Sequence, residues 1–300
     1  MPIAWRVVVL ALAGIYSPAL AEMARVWWTN TYAGHGMFVP LFSALLVWMD
    51  RDRIRAAAGR GDPAGMLVIL LGLGLLALGS WADSVILQGL SVVVAVAGIV
   101  LWGFGARCLR RAAFPVGFLL FMVPLPRPIV DAVTLDLQLF VARFAGATLE
   151  LLDIPVHQDG LLIVLPAVTL QVAEACNGLR FLMALLVLTV AFAQVTQRSL
   201  LRKLVLVGSA IPIAILANAV RIAVIAIAVY YIGPKAASGF IHNIIGKAVW
   251  ALTLIPLIAL AFMLRRVPKR SAISSQLSAS DDGNGRSPRI GPAGPSEAEG

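Results

Sequence analysis

Charged residues are scarce in this chain. They make up 13% of its 300 residues, about half the fraction that is usual in a soluble domain. Apolar residues account for 60% of the chain, and the mean hydropathy is +0.91. This composition argues against a soluble globular protein. It predicts an all-α polytopic membrane protein, because long apolar runs cross a bilayer as helices.

Acidic residues are also few, so that the net charge is +9. The basic residues lie mainly in short loops between apolar runs, which is the pattern of membrane proteins with cytoplasmic basic loops. We therefore predict the lipid bilayer as the surroundings of the chain and no nucleic-acid partner. No cofactor and no metal site are predicted.

Eight apolar runs are long enough, or nearly so, to be membrane spans. A spanning helix needs about 20 residues, and the second run is short. The predicted spans are 7–24, 37–49, 65–83, 86–106, 113–130, 179–195, 204–232 and 244–264. The seventh is long enough to be tilted, or broken at Pro212.

Residues 131–152 do not fit a lipid-facing span, because they carry four charged side chains. Such residues are costly in the hydrocarbon core. We predict an amphipathic helix lying in the membrane interface. A non-cytoplasmic loop is expected to follow it, up to the start of the sixth span. The charged positions are Asp131, Asp136, Arg143 and Glu150.

The distribution of basic residues predicts the orientation. Fifteen of the 24 basic residues precede the first span or follow the even-numbered spans. The positive-inside rule places these segments, and both termini, in the cytoplasm.

The two ends of the chain differ in character. Arg6, an apolar run and the small residues around Ala21 are typical of a signal peptide. We favour an uncleaved first span over a cleaved signal. Residues 1–270 are predicted to form the membrane domain. Residues 271–300, rich in Ser, Gly and Pro, are predicted to be a disordered cytoplasmic tail.

Cysteine is rare, and Cys108 and Cys176 are the only two. Cys176 lies where a polar segment meets the apolar run that starts at Leu179. A thiol at a helix N-terminus is shifted toward thiolate, which is the nucleophilic form. The alternative is a small buried apolar side chain. The predicted topology puts the two cysteines on opposite sides of the membrane, so no disulfide is expected.

The three histidines and an intramembrane arginine fall on the side of Cys176. His35, His157 and His242 all lie at the non-cytoplasmic ends of predicted spans or in the outer loop. Arg221 is inside an apolar span, which indicates a functional site. The alternative interpretation is that the Arg221 side chain extends to the lipid headgroups.

These side chain types suggest acyl transfer. A thiolate would attack a peptide carbonyl, a histidine would act as the base and Arg221 would stabilise the oxyanion. His35 and His157 remain rivals of His242 for the base. Asn218, one turn before Arg221, could orient the guanidinium or join two helices. Arg180 could lower the pKa of Cys176, bind substrate or anchor the helix.

Three motifs, in order and spacing, resemble those of the exosortase family, integral-membrane cysteine transpeptidases related to archaeosortases. They are residues 172–180 around Cys176, residues 211–222 with Arg221, and residues 242–246 with His242. Weaker marks are residues 28–36, 39–40 and 123–126, so that the resemblance covers residues 28–250.

The resemblance implies that Cys176 is the nucleophile and that Arg221 and His242 are its partners. It implies a bacterial inner-membrane enzyme whose active site faces the periplasm. Its substrates would be exported proteins with a C-terminal Pro-Glu-Pro-like motif, a transmembrane helix and a basic end. The cleaved proteins would pass to a surface acceptor. The alternatives are a transporter or scaffold for polysaccharide export, and a protease that only hydrolyses.

Overall fold

The structure, a computed structural model, describes residues 3–166, 168–172 and 178–266. Cys176 and the predicted tail at 271–300 lie outside the described residues. Helices dominate: α1 Ile3–Thr29, α2 Val39–Met49, α3 Arg51–Ala57, α4 Ala64–Trp81, α5 Val85–Phe118, α6 Arg127–Leu151, α7 Leu179–Thr196, α8 Leu200–Ile232 and α9 Gly239–Arg266. Short 3-10 helices span Gly34–Phe38, Leu119–Met122 and Pro234–Ala237.

Six helical segments in the described part of the chain are long and apolar enough to cross a membrane. They are Trp5–Thr29, Ala64–Trp81, Val85–Met122, Leu179–Thr196, Leu200–Ile232 and Gly239–Arg265. This confirms a polytopic membrane protein but not the eight separate spans that the sequence predicts. The second predicted span is the short helix α2, and the fourth and fifth fall within one helical run. Helix α8 continues through Pro212 without a break.

That helical run folds back on itself at Gly105. The backbone of Gly105 has φ 82° and ψ 172°, values that lie outside the helical range. A Cβ atom placed on Gly89, near the start of α5, would lie 3.0 Å from the Val123 side chain just beyond the run. A straight helix would hold these two residues about 50 Å apart. The chain therefore reverses at Gly105, and its two halves lie side by side.

The second half of α5 ends earlier than the sequence predicts. The predicted span at 113–130 is wrong in its bounds, because the helical run stops at Met122 and residues 127–130 belong to α6. Pro124 and Pro126 lie between them. Proline lacks the N–H group of a helix and keeps the preceding residue extended. The pair therefore separates the two helices.

Helix α6 has the amphipathic character predicted for residues 131–152. Asp131, Asp136, Arg143 and Glu150 are all exposed. Its opposite face packs against α8, where small side chains let the helices approach closely. The contact residues are Val141, Ala142, Ala145 and Leu149 of α6 with Ala219, Ile222, Ala223 and Ala226 of α8. A location in the membrane interface remains a prediction.

The segment predicted to be an outer loop before Cys176 contains a small antiparallel sheet. Strands β1 (His157–Asp159), β2 (Leu162–Leu165) and β3 (Val168–Gln171) pair in sequence order. Gly160 makes the first turn with a φ of 56°. Ile163 and Leu165 of β2 are buried in the core formed by α6 and α8. Burial of β2 against α6 and α8 supplies the energy that orders the sheet. That this segment is a non-cytoplasmic loop stays a prediction.

The helix bundle has one basic end. A cavity there is lined by Arg53, Arg111, Arg198 and Lys203, and a neighbouring one by Arg198, Arg202 and Arg265. Asp50 forms ion pairs with Arg111 (3.1 Å) and Arg53 (3.5 Å). Helices α7 and α9 begin at the opposite end. The fold thus separates the basic loops from the starts of the helices that follow Cys176 and carry His242.

Replacing Gly105 with alanine should destabilise the protein. An L-residue in this extended positive-φ conformation, which is essentially restricted to glycine, costs about 1–3 kcal/mol, and the new Cβ would lie 2.5 Å from the Arg60 carbonyl oxygen. The matched control is Gly117→Ala, because nothing lies within 4 Å of a Cβ placed there. Thermal unfolding of both purified variants, followed by circular dichroism, should show a lower midpoint for Gly105→Ala alone. Equal midpoints would contradict the reversal at Gly105.

Candidate active site

Helices α8 and α9 bring Arg221 and His242 into direct contact. The chain between them is short, and the 3-10 helix Pro234–Ala237 turns it back so that the two helices pack together. Arg221 Nη2 lies 3.0 Å from His242 Nε2. A guanidinium has only donors, so Arg221 donates and His242 Nε2 accepts. This pairing requires a neutral imidazole with its proton on Nδ1.

Gly246 leaves room for this pair. It lies one helical turn after His242 on the same face of α9. A Cβ placed on Gly246 would be 3.4 Å from Arg221 Nε and 3.7 Å from Cζ. These are ordinary van der Waals distances, so the guanidinium lies close to the backbone of α9. Arg221 Nε is buried and has no hydrogen-bond partner in the described part of the chain.

Gly178 and Asn218 join the start of α7 to α8. Gly178 precedes α7 in the left-handed conformation, with φ 84° and ψ −10°. A Cβ placed on it would lie 2.8 Å from Asn218 Nδ2 and 3.1 Å from Asn218 Cβ. Asn218 is buried on the arginine-bearing helix. This contact supports the second reading of Asn218, that of a helix-joining residue, and places the end of the cysteine motif one turn from Arg221.

These residues line a cavity of about 520 Å³, called here the Arg221 cavity. Three of its lining residues are basic, and no acidic residue lines it within the described part of the chain. Arg180 and Lys247 are exposed. The cavity is lined by Gly178, Arg180, Phe181, Ala184, Asn218, Arg221, His242, Asn243, Gly246, Lys247 and Trp250. Its field favours anionic groups, including an oxyanion.

Five of the six predicted site residues can be placed. Arg180, Asn218, Arg221 and His242 line the Arg221 cavity. His35 lines a neighbouring cavity instead. Cys176 lies outside the described residues, and Gly178, two positions later in the sequence, lines the Arg221 cavity.

The two rival histidines are separated from the Arg221 cavity. His157 is exposed on strand β1, where it pairs with Val164. His35 lies in the 3-10 helix before α2. Burial lowers the pKa of His35 below its usual value, an effect opposed by backbone groups of Phe121 and Tyr32. The lowered pKa favours the neutral form of the His35 imidazole. Of the three histidines, only His242 contacts Arg221.

Gln138 is a supporting residue that the sequence analysis did not single out. Its Nε2 donates to the Val172 carbonyl oxygen at 2.9 Å, and its side chain is buried. The bond ties α6 to the residue that follows β3 and opens the cysteine motif. A signal for it exists in the sequence, because Gln138 is a polar residue on the apolar face that includes Val141 and Ala142.

Comparison with known proteins gives the family. The model of the transmembrane exosortase family matches residues 27–259. The chain belongs to the transmembrane exosortase family. The match covers all three motifs and every predicted site residue, and it confirms the resemblance seen in the sequence. A search of curated proteins and of solved structures finds no match.

Replacing Gly178 with alanine should destabilise this exosortase and distort its site. The left-handed backbone costs an L-residue about 1–2 kcal/mol, and the Asn218 side chain occupies the space of the new Cβ. Gly208→Ala in α8 is the control, because a Cβ placed there has nothing within 4 Å. The thermal unfolding midpoint should fall for Gly178→Ala only. A Gly178→Ala variant as stable as the control would show that the contact with Asn218 is dispensable.

Proposed function

We propose that this exosortase is a membrane-embedded cysteine peptidase and transpeptidase. It cleaves the C-terminal sorting signal of exported proteins through a thioester on Cys176, then passes the protein to a surface acceptor. The observation that carries the proposal is the hydrogen-bonded pair of Arg221 and His242 in a cavity lined by Gly178. Cys176 precedes Gly178, a residue that lines this cavity, by two positions in the sequence.

The first chemical step forms the thioester. The Cys176 thiol gives its proton to His242, and the thiolate attacks the scissile carbonyl carbon. The oxygen of this carbonyl becomes an oxyanion, which Arg221 stabilises. Collapse of this intermediate breaks the C–N bond, and His242 returns the proton to the departing amine. An acceptor nucleophile then replaces the thiolate, and its proton passes to His242.

The Arg221–His242 hydrogen bond couples the base to the oxyanion. His242 accepts from Arg221 only while it is neutral. Because Nδ1 already carries a proton, the thiol's proton must enter at Nε2, the nitrogen that accepts from Arg221. The Arg221–His242 bond therefore breaks as the proton is transferred, and the two cations then repel each other. The guanidinium is then released as negative charge develops on the substrate oxygen. Arg221 is therefore bound to His242 in the resting enzyme and becomes free to stabilise the oxyanion during the attack.

The substrate class follows from the resemblance and from the charge of the cavity. The proposed substrates carry a Pro-Glu-Pro-like motif, a transmembrane helix and a basic end. A substrate anchored in the same bilayer presents its motif at the membrane surface, and the basic Arg221 cavity suits the motif's carboxylate. We propose that this surface is the periplasmic face of a bacterial inner membrane, with both termini of the enzyme in the cytoplasm.

A transporter is the weaker proposal. Substrate sites of transporters lie near the bilayer midplane. The Arg221–His242 pair is near the starts of α7 and α9, which places it toward one end of the bundle. A purely hydrolytic protease shares every step up to the thioester, and only the acceptor distinguishes it.

Cys176→Ala should abolish processing of a co-expressed substrate. The variant lacks the nucleophile but should still insert in the membrane. Cys108→Ala is the matched control, since Cys108 is buried near Ile54, far from the Arg221 cavity in the sequence and at the basic end of the bundle. Mass spectrometry of the substrate's C-terminus measures the cut, and an added mass identifies transfer rather than hydrolysis. Normal processing by Cys176→Ala would end the proposal.

Arg221→Lys and His242→Ala should each reduce the processing rate about 10²-fold or more, the usual cost of removing one oxyanion donor or the catalytic base. Lysine keeps the charge but lacks the planar fork. Arg143→Lys and His157→Ala are controls at exposed positions outside the cavity, and they should process at the rate of the parent enzyme. The rate comes from a time course of substrate cleavage in membranes. Near-normal cleavage by Arg221→Lys would show that Arg221 is not needed for the reaction and only anchors its helix at the lipid headgroups.

A further inference from the structure

A second cavity adjoins the Arg221 cavity, and the proposed chemistry does not use it. It has a volume of about 550 Å³ and is named here the tryptophan cavity. It is formed by the end of α1, the 3-10 helix before α2, α2 itself, α7 and α9. Its lining residues are Trp27, Trp28, Gly34, His35, Met37, Phe38, Phe42, Arg180, Ala184, Val187, Leu188 and Trp250.

The two cavities share one wall. Arg180, Ala184 and Trp250 line both of them. A ligand in the tryptophan cavity would therefore have one end at the edge of the space that holds Arg221 and His242.

The tryptophan cavity is lined mainly by apolar side chains, and Arg180 is its one guanidinium. Of its twelve lining residues, only Arg180 and His35 carry ionisable side chains. Arg180 is exposed and forms no ion pair with an acidic residue in the described part of the chain. The volume falls within the roughly 300–1,000 Å³ of small-molecule sites. An unpaired guanidinium above an apolar slot suits an amphiphile with an anionic head.

The direction of the cavity favours a lipid over a peptide. Arg180 is at the first turn of α7, and Leu188 lies eight residues further along the same helix. The slot therefore extends about 12 Å along α7. In the proposed topology, this direction leads from the membrane surface into the hydrocarbon core. A peptide motif at the surface would not fill it, because unpaired backbone groups are too costly at that depth.

We propose that the tryptophan cavity binds a phosphate-bearing membrane lipid. One hydrocarbon chain occupies the slot between α2 and α7, and Arg180 binds the phosphate. The headgroup then stands at the shared wall, beside the Arg221 cavity. The inference rests on the proposed function only for the role of that neighbouring cavity, since lipid binding itself needs no catalysis.

The test measures lipid retention by the full-length Cys176→Ala protein, which cannot form a thioester. The protein is purified in mixed micelles that contain phosphatidylglycerol or, as the phosphate-free match, diacylglycerol. Native mass spectrometry counts the lipids that stay bound. The unaltered slot should retain a single phosphatidylglycerol and no diacylglycerol.

Two variants probe the two parts of the site. Arg180→Gln should weaken phosphatidylglycerol retention about tenfold, because it removes a hydrogen bond to a charged group. Leu188→Trp should abolish retention by filling the slot from a position that does not line the Arg221 cavity. The matched controls are Arg143→Gln and Leu71→Trp, at exposed positions that line neither cavity. Both should retain the lipid.

Several outcomes would overturn the proposal. Equal retention of diacylglycerol and phosphatidylglycerol would show that the phosphate does not contribute to binding. Full retention by both Arg180→Gln and Leu188→Trp would place the lipid elsewhere. Loss of substrate cleavage in Leu188→Trp, made with Cys176 intact, without loss of lipid would assign the slot to the substrate. Because Cys176→Ala is inactive in every retention assay, a failure of the proposed catalysis leaves these results unchanged.

Discussion

The hydrogen bond between Arg221 and His242 is the constraint on which the site depends. A guanidinium inside an apolar helix is costly, and it is tolerated where a fixed acceptor and a cavity receive it. Here the acceptor is an imidazole on the next helix, 3.0 Å away. The bond requires that α8 and α9 pack closely, and the Arg221 guanidinium lies close to the backbone of α9 at Gly246. The packing of α8 against α9 and the hydrogen bond between Arg221 and His242 therefore depend on each other.

The start of α7 contacts α8, the helix that carries Arg221. Gly178 lies so close to Asn218 that only a glycine fits, and Asn218 is one turn before Arg221. On the far side, Gln138 of α6 holds the Val172 carbonyl oxygen. The part of the cysteine motif that contains Cys176 is therefore flanked in the sequence by two residues with tertiary contacts, Val172 and Gly178. Helix α8 carries both Arg221 and Asn218, the residue that contacts Gly178.

The membrane class and most helices were predictable because they depend on local composition. A run of apolar residues must form a helix in lipid, whatever its neighbours are. The sequence predicts a turn between the spans 86–106 and 113–130, and the structure makes this turn at Gly105, through one backbone conformation within a continuous helical pattern. The small sheet before Cys176 was missed for another reason. Its strands have only three or four residues, and such short strands are ordered by burial against α6 and α8 rather than by their own sequence.

The sequence by itself determined the chemical groups and their order along the chain, because side chain identity and spacing are local properties. Arg221, His242 and the cysteine motif could be selected in this way, and the family match covers all of them. Only the tertiary structure decided that His242, and neither His35 nor His157, contacts Arg221. It also decided that His35 and Arg180 line an apolar cavity beside the site. These residues are distant in the sequence, and only the packing of α1, α2, α7, α8 and α9 brings them together.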